Sequence, residues 1–175
     1  MELTDILKKR RSVRRFESRP VPRELIESLL RLTLTAPSSK NTRSTRFMVV
    51  GDPETLGRIA RMRDFGSAFL ADVPCAVVVA GDNQTDLWVD NAAISATILQ
   101  LAAEEAGLGS CWVHVNGRPQ RREEPDGPTA TEHLREFLPL PAEWNPLCVV
   151  ALGYPADSPK PHSEKDDSDK IIWLD

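Results

Sequence analysis

The sequence predicts one domain in which helices pack on a sheet of short strands, of α/β or α+β class. Three observations predict it. Helical patterns alternate with about four short apolar runs of strand length. One helical stretch, Leu87–Ala106, is apolar on nearly every side, so it must be covered all round. The chain has 175 residues, 41% of them hydrophobic and 27% charged, an ordinary globular balance that needs no disulfide staple.

The elements follow in order. Residues 4–10 read as a short helix with Thr4 at the N-cap. A second helix runs from Pro22 to Thr33. Proline suits its first position, and Leu25, Ile26, Leu29, Leu30 and Leu32 form its stripe. A polar loop over Ala36–Thr45 leads to a strand over Arg46–Val50. Glu54–Arg63 reads as a helix and Phe65–Ala71 as a further short one. Cys75–Ala80 is a buried strand, and the apolar helix Leu87–Ala106 ends at Gly107, which suits a left-handed cap. A strand over Ser110–Val115 precedes an exposed Gly- and Pro-rich loop, Asn116–Ala130, long enough to carry function. Glu132–Leu138 reads as a helix and Leu147–Leu152 as a strand. The domain is assigned to residues 1–155. Residues 156–175 are a polar arm ending in Ile171–Leu174, an apolar patch that needs a groove and is a candidate tail strand.

Net charge is −4, from 22 basic and 26 acidic residues, which argues against a nucleic-acid partner. No apolar run reaches the ~18 residues of a membrane span, and MELTDILKKR has no apolar signal core. Cys75, Cys111 and Cys148 are odd in number and widely spaced. They read as reduced, buried thiols of a cytoplasmic protein. His114, His133 and His162 are scattered, so no metal site is assigned.

Three segments are candidates for chemistry. Lys8–Phe16 carries six basic residues in an acidic chain. One reading is a solvated face. The other is an anion cradle: in an extended chain Arg10, Ser12 and Arg14 share one side and Val13 the other, and guanidinium forks match phosphate and carboxylate. Pro37-Ser38-Ser39-Lys40-Asn41 alone reads as a plain turn. Gly107-Leu108-Gly109-Ser110-Cys111-Trp112 partly matches a dinucleotide fingerprint, but it follows a helix and opens a strand, the reverse of that order. Its glycines still allow a flat ligand near the backbone.

Taken together, Arg10–Phe16, Ala36–Asn41, Asp90–Ala93 through Ala106–Trp112, and Val150–Pro155 resemble, in order and spacing, the FMN-dependent nitroreductase family. The resemblance implies an α+β fold with a mixed central sheet flanked by helices. It implies an obligate homodimer with FMN at the interface and an exchanged C-terminal arm. It implies that Arg10, Arg11 and Ser12 hold the phosphate and ribityl end of FMN. Arg14 would reach the pyrimidine edge, where a cation stabilises the negative charge that reduction brings. Pro37, Ser38, Ser39 and Asn41 would approach the flavin held by the other subunit. The backbone of Val113 and His114 would lie against the ring near N5, and Lys160 or Lys165 would meet the phosphate. Arg43-Ser44-Thr45 departs from the family's Gln-Pro-Trp. It is either a simple entry to the following strand or, with Lys40, a polar and positive acceptor site. The implied activity is electron transfer from NAD(P)H through FMN to a nitroaromatic, quinone or similar small acceptor, in a ping-pong sequence with no side-chain acid or base. The alternatives are a flavin storage or sensor module and a nucleic-acid binder using the basic N-terminus.

Overall fold

The computed structural model describes residues 2–160, 162–163 and 165–174. Helix α1 is Leu3–Lys9 and α2 is Arg23–Thr33. Strand β1 is Thr45–Val50, α3 is Pro53–Ala60, and β2 is Cys75–Asp82. Helix α4 is Trp88–Glu105, β3 is Gly109–His114, α5 is Ala130–Arg135, and β4 is Trp144–Gly153.

The strands form one sheet in the order β1-β2-β4-β3, every neighbouring pair antiparallel. The parallel element of the expected mixed sheet is a single bridge, Ser12 to Ser110, on the outer edge of β3. Alternation along the central strands feeds two cores. Ala76, Val78, Val149 and Ala151 face α3 and α5, where they meet Leu56, Ile59 and Leu134. Val77, Val79, Cys148 and Val150 face α2 and α4, where they meet Ile26, Leu29, Ala96 and Leu99. The sheet is thus buried between two helical layers, and β1 and β3 are its edges.

Several boundaries differ from the sequence reading, each for a local reason. Helix α1 begins one residue before Thr4, and Glu2 holds the cap position without a side-chain bond. Helix α3 starts at Pro53 because the Asp52 carboxylate accepts from the Thr55 N–H at 2.8 Å. It ends at Ala60, and the Ser67 hydroxyl covers the Ala60 and Arg63 carbonyls at 2.8 and 2.9 Å. The expected helix Phe65–Ala71 is therefore reduced to a 3₁₀ turn over Ala68–Asp72. Helix α5 begins at Ala130, two residues before the expected start, because Thr129 and Glu132 form a reciprocal capping box. The tail forms no strand among the described residues; it holds a 3₁₀ turn over Ser168–Lys170.

Helix α4 is only partly covered. Asn91, Ala92, Ser95, Ala96 and Leu99 are buried, while Val89 and Ile94 stay exposed. Leu3 and Leu7 on α1 are exposed as well, and in the tail Trp173 is 80% and Leu174 94% exposed. An open groove of about 500 Å³ runs between α2 and the β1 edge, lined by Val21, Ile26, Leu30 and Val49.

Candidate active site

The basic stretch after α1 is held by backbone bonds. Arg10 closes α1, its N–H donating to the Ile6 carbonyl at 2.9 Å. The chain then runs extended across the start of β3 to the end of β4. The Val13 N–H donates to the Ser110 carbonyl, the Glu17 N–H to the Tyr154 carbonyl, both at 2.9 Å, and the Ala156 N–H to the Arg15 carbonyl at 3.0 Å. Val13 is buried, while Ser12 and Arg14 are exposed, so the alternation read from the sequence holds. Val13 sits directly over Gly109: a Cβ there would lie 2.9 Å from the Val13 Cβ, so the close approach needs glycine.

Arg10, Ser12 and Arg14 converge on Cys111. Burial pushes that thiol up, while Arg14, the Ser12 hydroxyl and Arg10 pull it down. Arg15 is paired with Asp157 at 3.0 Å, but no carboxylate pairs with Arg10, Arg11 or Arg14 among the described residues. A cleft of about 240 Å³ opens here, lined by Ser12, Val13 and Arg14 with Pro159 of the tail. The other thiols are remote from this chemistry. Cys75 is buried and pushed up to about 11, and burial drives Cys148 higher still. All three cysteines are free.

Beyond the Ser12 bridge, the outer edge of β3 is open. Residues of a strand alternate the side to which their N–H and C=O point. Ser110 gives its carbonyl to Val13, so Trp112 and His114 point their backbone groups to the same outer edge. The His114 carbonyl accepts from the Arg63 guanidinium at 3.0 Å. Its N–H faces the open edge as a donor for a ligand. Val113 is buried in the α3 side of the core, so of the two residues named from the sequence His114 presents the free backbone. The His114 ring stacks on Trp112, with centroids 6.1 Å apart. Burial, Arg118 and Arg63 hold the imidazole below its ordinary range, which favours its neutral form.

The loop after α2 lies elsewhere. Lys40, Asn41 and Arg43 all have positive φ, at 51°, 53° and 49°. Such left-handed residues cost roughly 1–2 kcal/mol each for L-residues other than glycine. The buried Asn91 of α4 holds them in place. Its side-chain oxygen accepts from the Ser39 N–H at 2.8 Å, and its nitrogen donates to the Ser44 hydroxyl at 3.0 Å. Ser38 accepts from the Arg43 N–H at 2.9 Å, and Pro37 and Asn41 are exposed. Lys40 pairs with Asp86 at 3.5 Å, and the Arg43 guanidinium reaches the Leu34 carbonyl at 3.4 Å. Both cations are therefore already engaged.

No hydrogen bond joins this loop to Arg10–Arg14 or to β3 among the described residues. Ser39 is tied to Asn91, whereas Ser110, beside Ser12, meets Gln100. These anchors are about 14 Å apart along the helix, at ~1.5 Å of rise per residue. In the tail, Lys160 and Lys165 are exposed. Among the described tail residues, His162 also reaches the Arg10–Arg14 stretch, its Nε2 donating to the Arg10 carbonyl at 3.0 Å.

Residues 7–73 and 57–154 match the Nitroreductase family. The chain belongs to that family. A relative from Methanothermobacter thermautotrophicus, with a provisional NADH dehydrogenase/NAD(P)H nitroreductase name, is 32% identical over 163 residues, covering 91% of this chain and 80% of its own. One of the same name from Archaeoglobus fulgidus is 34% identical, covering 90% of this chain and 87% of its own. The solved FMN-dependent nitroreductase from Clostridium difficile R20291 is 35% identical, with a TM-score of 0.89, covering 97% of this chain and 98% of that one. The present chain places three side chains at the candidate site that the sequence reading left without a role: Asn91, Arg63 and His162. Asn91 had a visible signal, as an amide inside an otherwise apolar helix; Arg63 and His162 had none.

Proposed function

We propose that this protein passes electrons from NAD(P)H through FMN to nitroaromatic, quinone or similar small acceptors, the oxidised donor leaving before the acceptor enters. Family and relatives make the chain an FMN-dependent NAD(P)H oxidoreductase. Bound FMN supplies the redox chemistry, taking a hydride from the donor and giving two electrons to the acceptor.

The observation that carries the reading is the cradle of Arg10, Arg11, Ser12 and Arg14, whose cations lack carboxylate partners among the described residues beside an open strand edge. A phosphate monoester carries about −1.5 to −2 charge near neutrality and fits such a cradle. Arg10, Arg11 and Ser12 hold that phosphate end. Arg14, two residues beyond Ser12 on the same side of the extended segment, favours negative charge arriving at the pyrimidine edge. The His114 N–H, at the open edge, orients the ring. Lys160 or Lys165 adds a cation from the tail. Pro37, Ser38, Ser39 and Asn41 face the flavin of the other subunit, with Lys40 and Arg43 on its acceptor side.

A homodimer is part of this proposal. The loop and the cradle lie at different stretches of α4, and a second copy could bring one to the other. The exposed Leu3, Leu7, Val89 and Ile94 offer an apolar contact surface. Residues 1–155 form the flavin-binding domain in this reading. The arm, 156–175, carries its apolar end to the α2–β1 groove of the partner. No helix is long and apolar enough to cross a membrane among the described residues. A cytoplasmic location belongs to the proposal and rests on the three free, buried thiols. The test is the visible spectrum of the purified protein. A flavin band bleached by NADPH without oxygen and restored by a nitroaromatic or quinone is expected; a band that NADPH leaves intact overturns the reading.

A further inference from the structure

A second basic cluster lies at the far end of the open β3 edge. Arg63, at the end of α3, donates to the His114 carbonyl, while its Nε is buried without a partner. Its guanidinium lies 4.1 Å from the centroid of the Phe65 ring, and that of Arg122 lies 4.3 Å from the same centroid. Arg118 is close enough to act electrostatically on both Arg63 and His114. The chain as a whole carries −4, yet none of these three guanidiniums forms an ion pair among the described residues.

An acid beside the cluster, Asp64, offsets part of its charge but forms no ion pair with it, its carboxylate being turned to the loop backbone. The Asp64 carboxylate accepts from the backbone N–H of Arg122, at 3.1 and 3.3 Å. The Asp64 N–H donates to the Gln120 carbonyl at 2.8 Å. The loop after β3 is thus pinned to the turn after α3 through its own backbone atoms, and that pinning does not need the charges of Arg118 and Arg122. Burial, Arg118 and Arg122 push the Arg63 guanidinium below its ordinary range, and Asp64 only partly opposes them. Like charges gathered around one ring repel, and an anion placed among them removes the repulsion. Phe65 fixes guanidinium planes that can present their forks to it.

We propose that Arg63, Arg118 and Arg122 form an anion subsite that takes the phosphate or carboxylate group of a substrate lying over His114. This rests on the preceding reading, since the substrate is the electron donor or acceptor of that flavin site. Phosphate on the nucleotide donor and carboxylate on the acceptor share the chemistry, and the experiment separates them.

The FMN-loaded protein is titrated calorimetrically with inorganic pyrophosphate at low salt. Binding is expected in the wild type, weaker as salt rises. The exposed pair Arg118→Gln/Arg122→Gln is expected to weaken it at least tenfold. Arg63 is left intact because it holds the β3 edge. Absent wild-type binding, or equal affinity in the double variant, overturns the subsite. Two ratios of kcat/KM then assign the source: NADPH against the uncharged 1-benzyl-1,4-dihydronicotinamide, and 4-nitrobenzoate against nitrobenzene. A fall in the first assigns the subsite to the donor, and a fall in the second to the acceptor. If neither falls in the double variant, no substrate uses the site and the proposal is overturned. If neither donor reduces the wild-type flavin, the functional reading fails, while the pyrophosphate titration still decides whether the anion site exists.

Discussion

The two regions proposed to face the flavin are built in opposite ways. Arg10–Phe16 is an extended segment held by backbone bonds to β3 and to the end of β4, with Arg10, Arg11 and Arg14 left without carboxylate partners among the described residues. Pro37–Arg43 is a strained loop with three left-handed residues, held chiefly by one buried side chain, Asn91. A side-chain change in the first should alter ligand binding and spare the fold. In the second, one remote change should undo the geometry.

The largest expected effect comes from removing the means by which the two regions would meet. Deleting residues 156–175 is expected to give a monomer by light scattering that retains no FMN, each chain keeping half of a site. An intact, flavin-loaded dimer after deletion would remove the arm from assembly. Next is Asn91→Ala, which leaves the Ser39 N–H and Ser44 hydroxyl without their buried partner. We expect a loss of about 2–4 kcal/mol in unfolding free energy, measured by denaturant titration, with faster FMN release. A variant as stable as wild type would mean that the left-handed loop holds itself.

Arg10→Ala tests the other region. It is expected to leave unfolding unchanged within about 0.5 kcal/mol and to weaken FMN by roughly ten- to a hundredfold, the worth of one charge-assisted contact. Equal flavin affinity in the folded variant would take Arg10 away from the phosphate. The smallest effect is that of Arg14→Gln. Losing its charge should lower the flavin midpoint potential by about 20–40 mV, where ~30 mV corresponds to 1.4 kcal/mol for two electrons. A potential that rises or stays fixed would place Arg14 off the pyrimidine edge.

Much of this was legible because the relevant signals are local. The alternation of Arg10, Ser12 and Arg14 against Val13 needs only an extended chain, and the structure keeps it. Gly107 adopts the expected left-handed conformation after α4, with φ 75°. The 3₁₀ turn over Ala68–Asp72 was misread as a longer helix because the Ser67 hydroxyl serves the end of α3, a contact with carbonyls four and seven residues back. Arg43 reads from the sequence either as a cation facing an acceptor or as a simple entry to β1; its contact with the Leu34 carbonyl, nine residues back, is one that no spacing rule gives. Arg63 gave no signal at all. Its meaning depends on the His114 carbonyl, 51 residues further along the chain, and no spacing rule brings the two together.

The positions of the three thiols give the molecule built-in chemical reporters. At pH 7 a thiol with pKa near 11, such as Cys75, is ionised in about one molecule in ten thousand, and Cys148 less often still. Neither should react with an alkylating reagent while the sheet is intact. Cys111 lies under the basic cradle, where Arg10, Ser12 and Arg14 work against its burial. Burial still wins there: the Cys111 thiol is raised and its side chain is in the core, so it too should stay unreactive in the folded chain. The same reagent gauges unfolding, when all three sulfurs become reactive together.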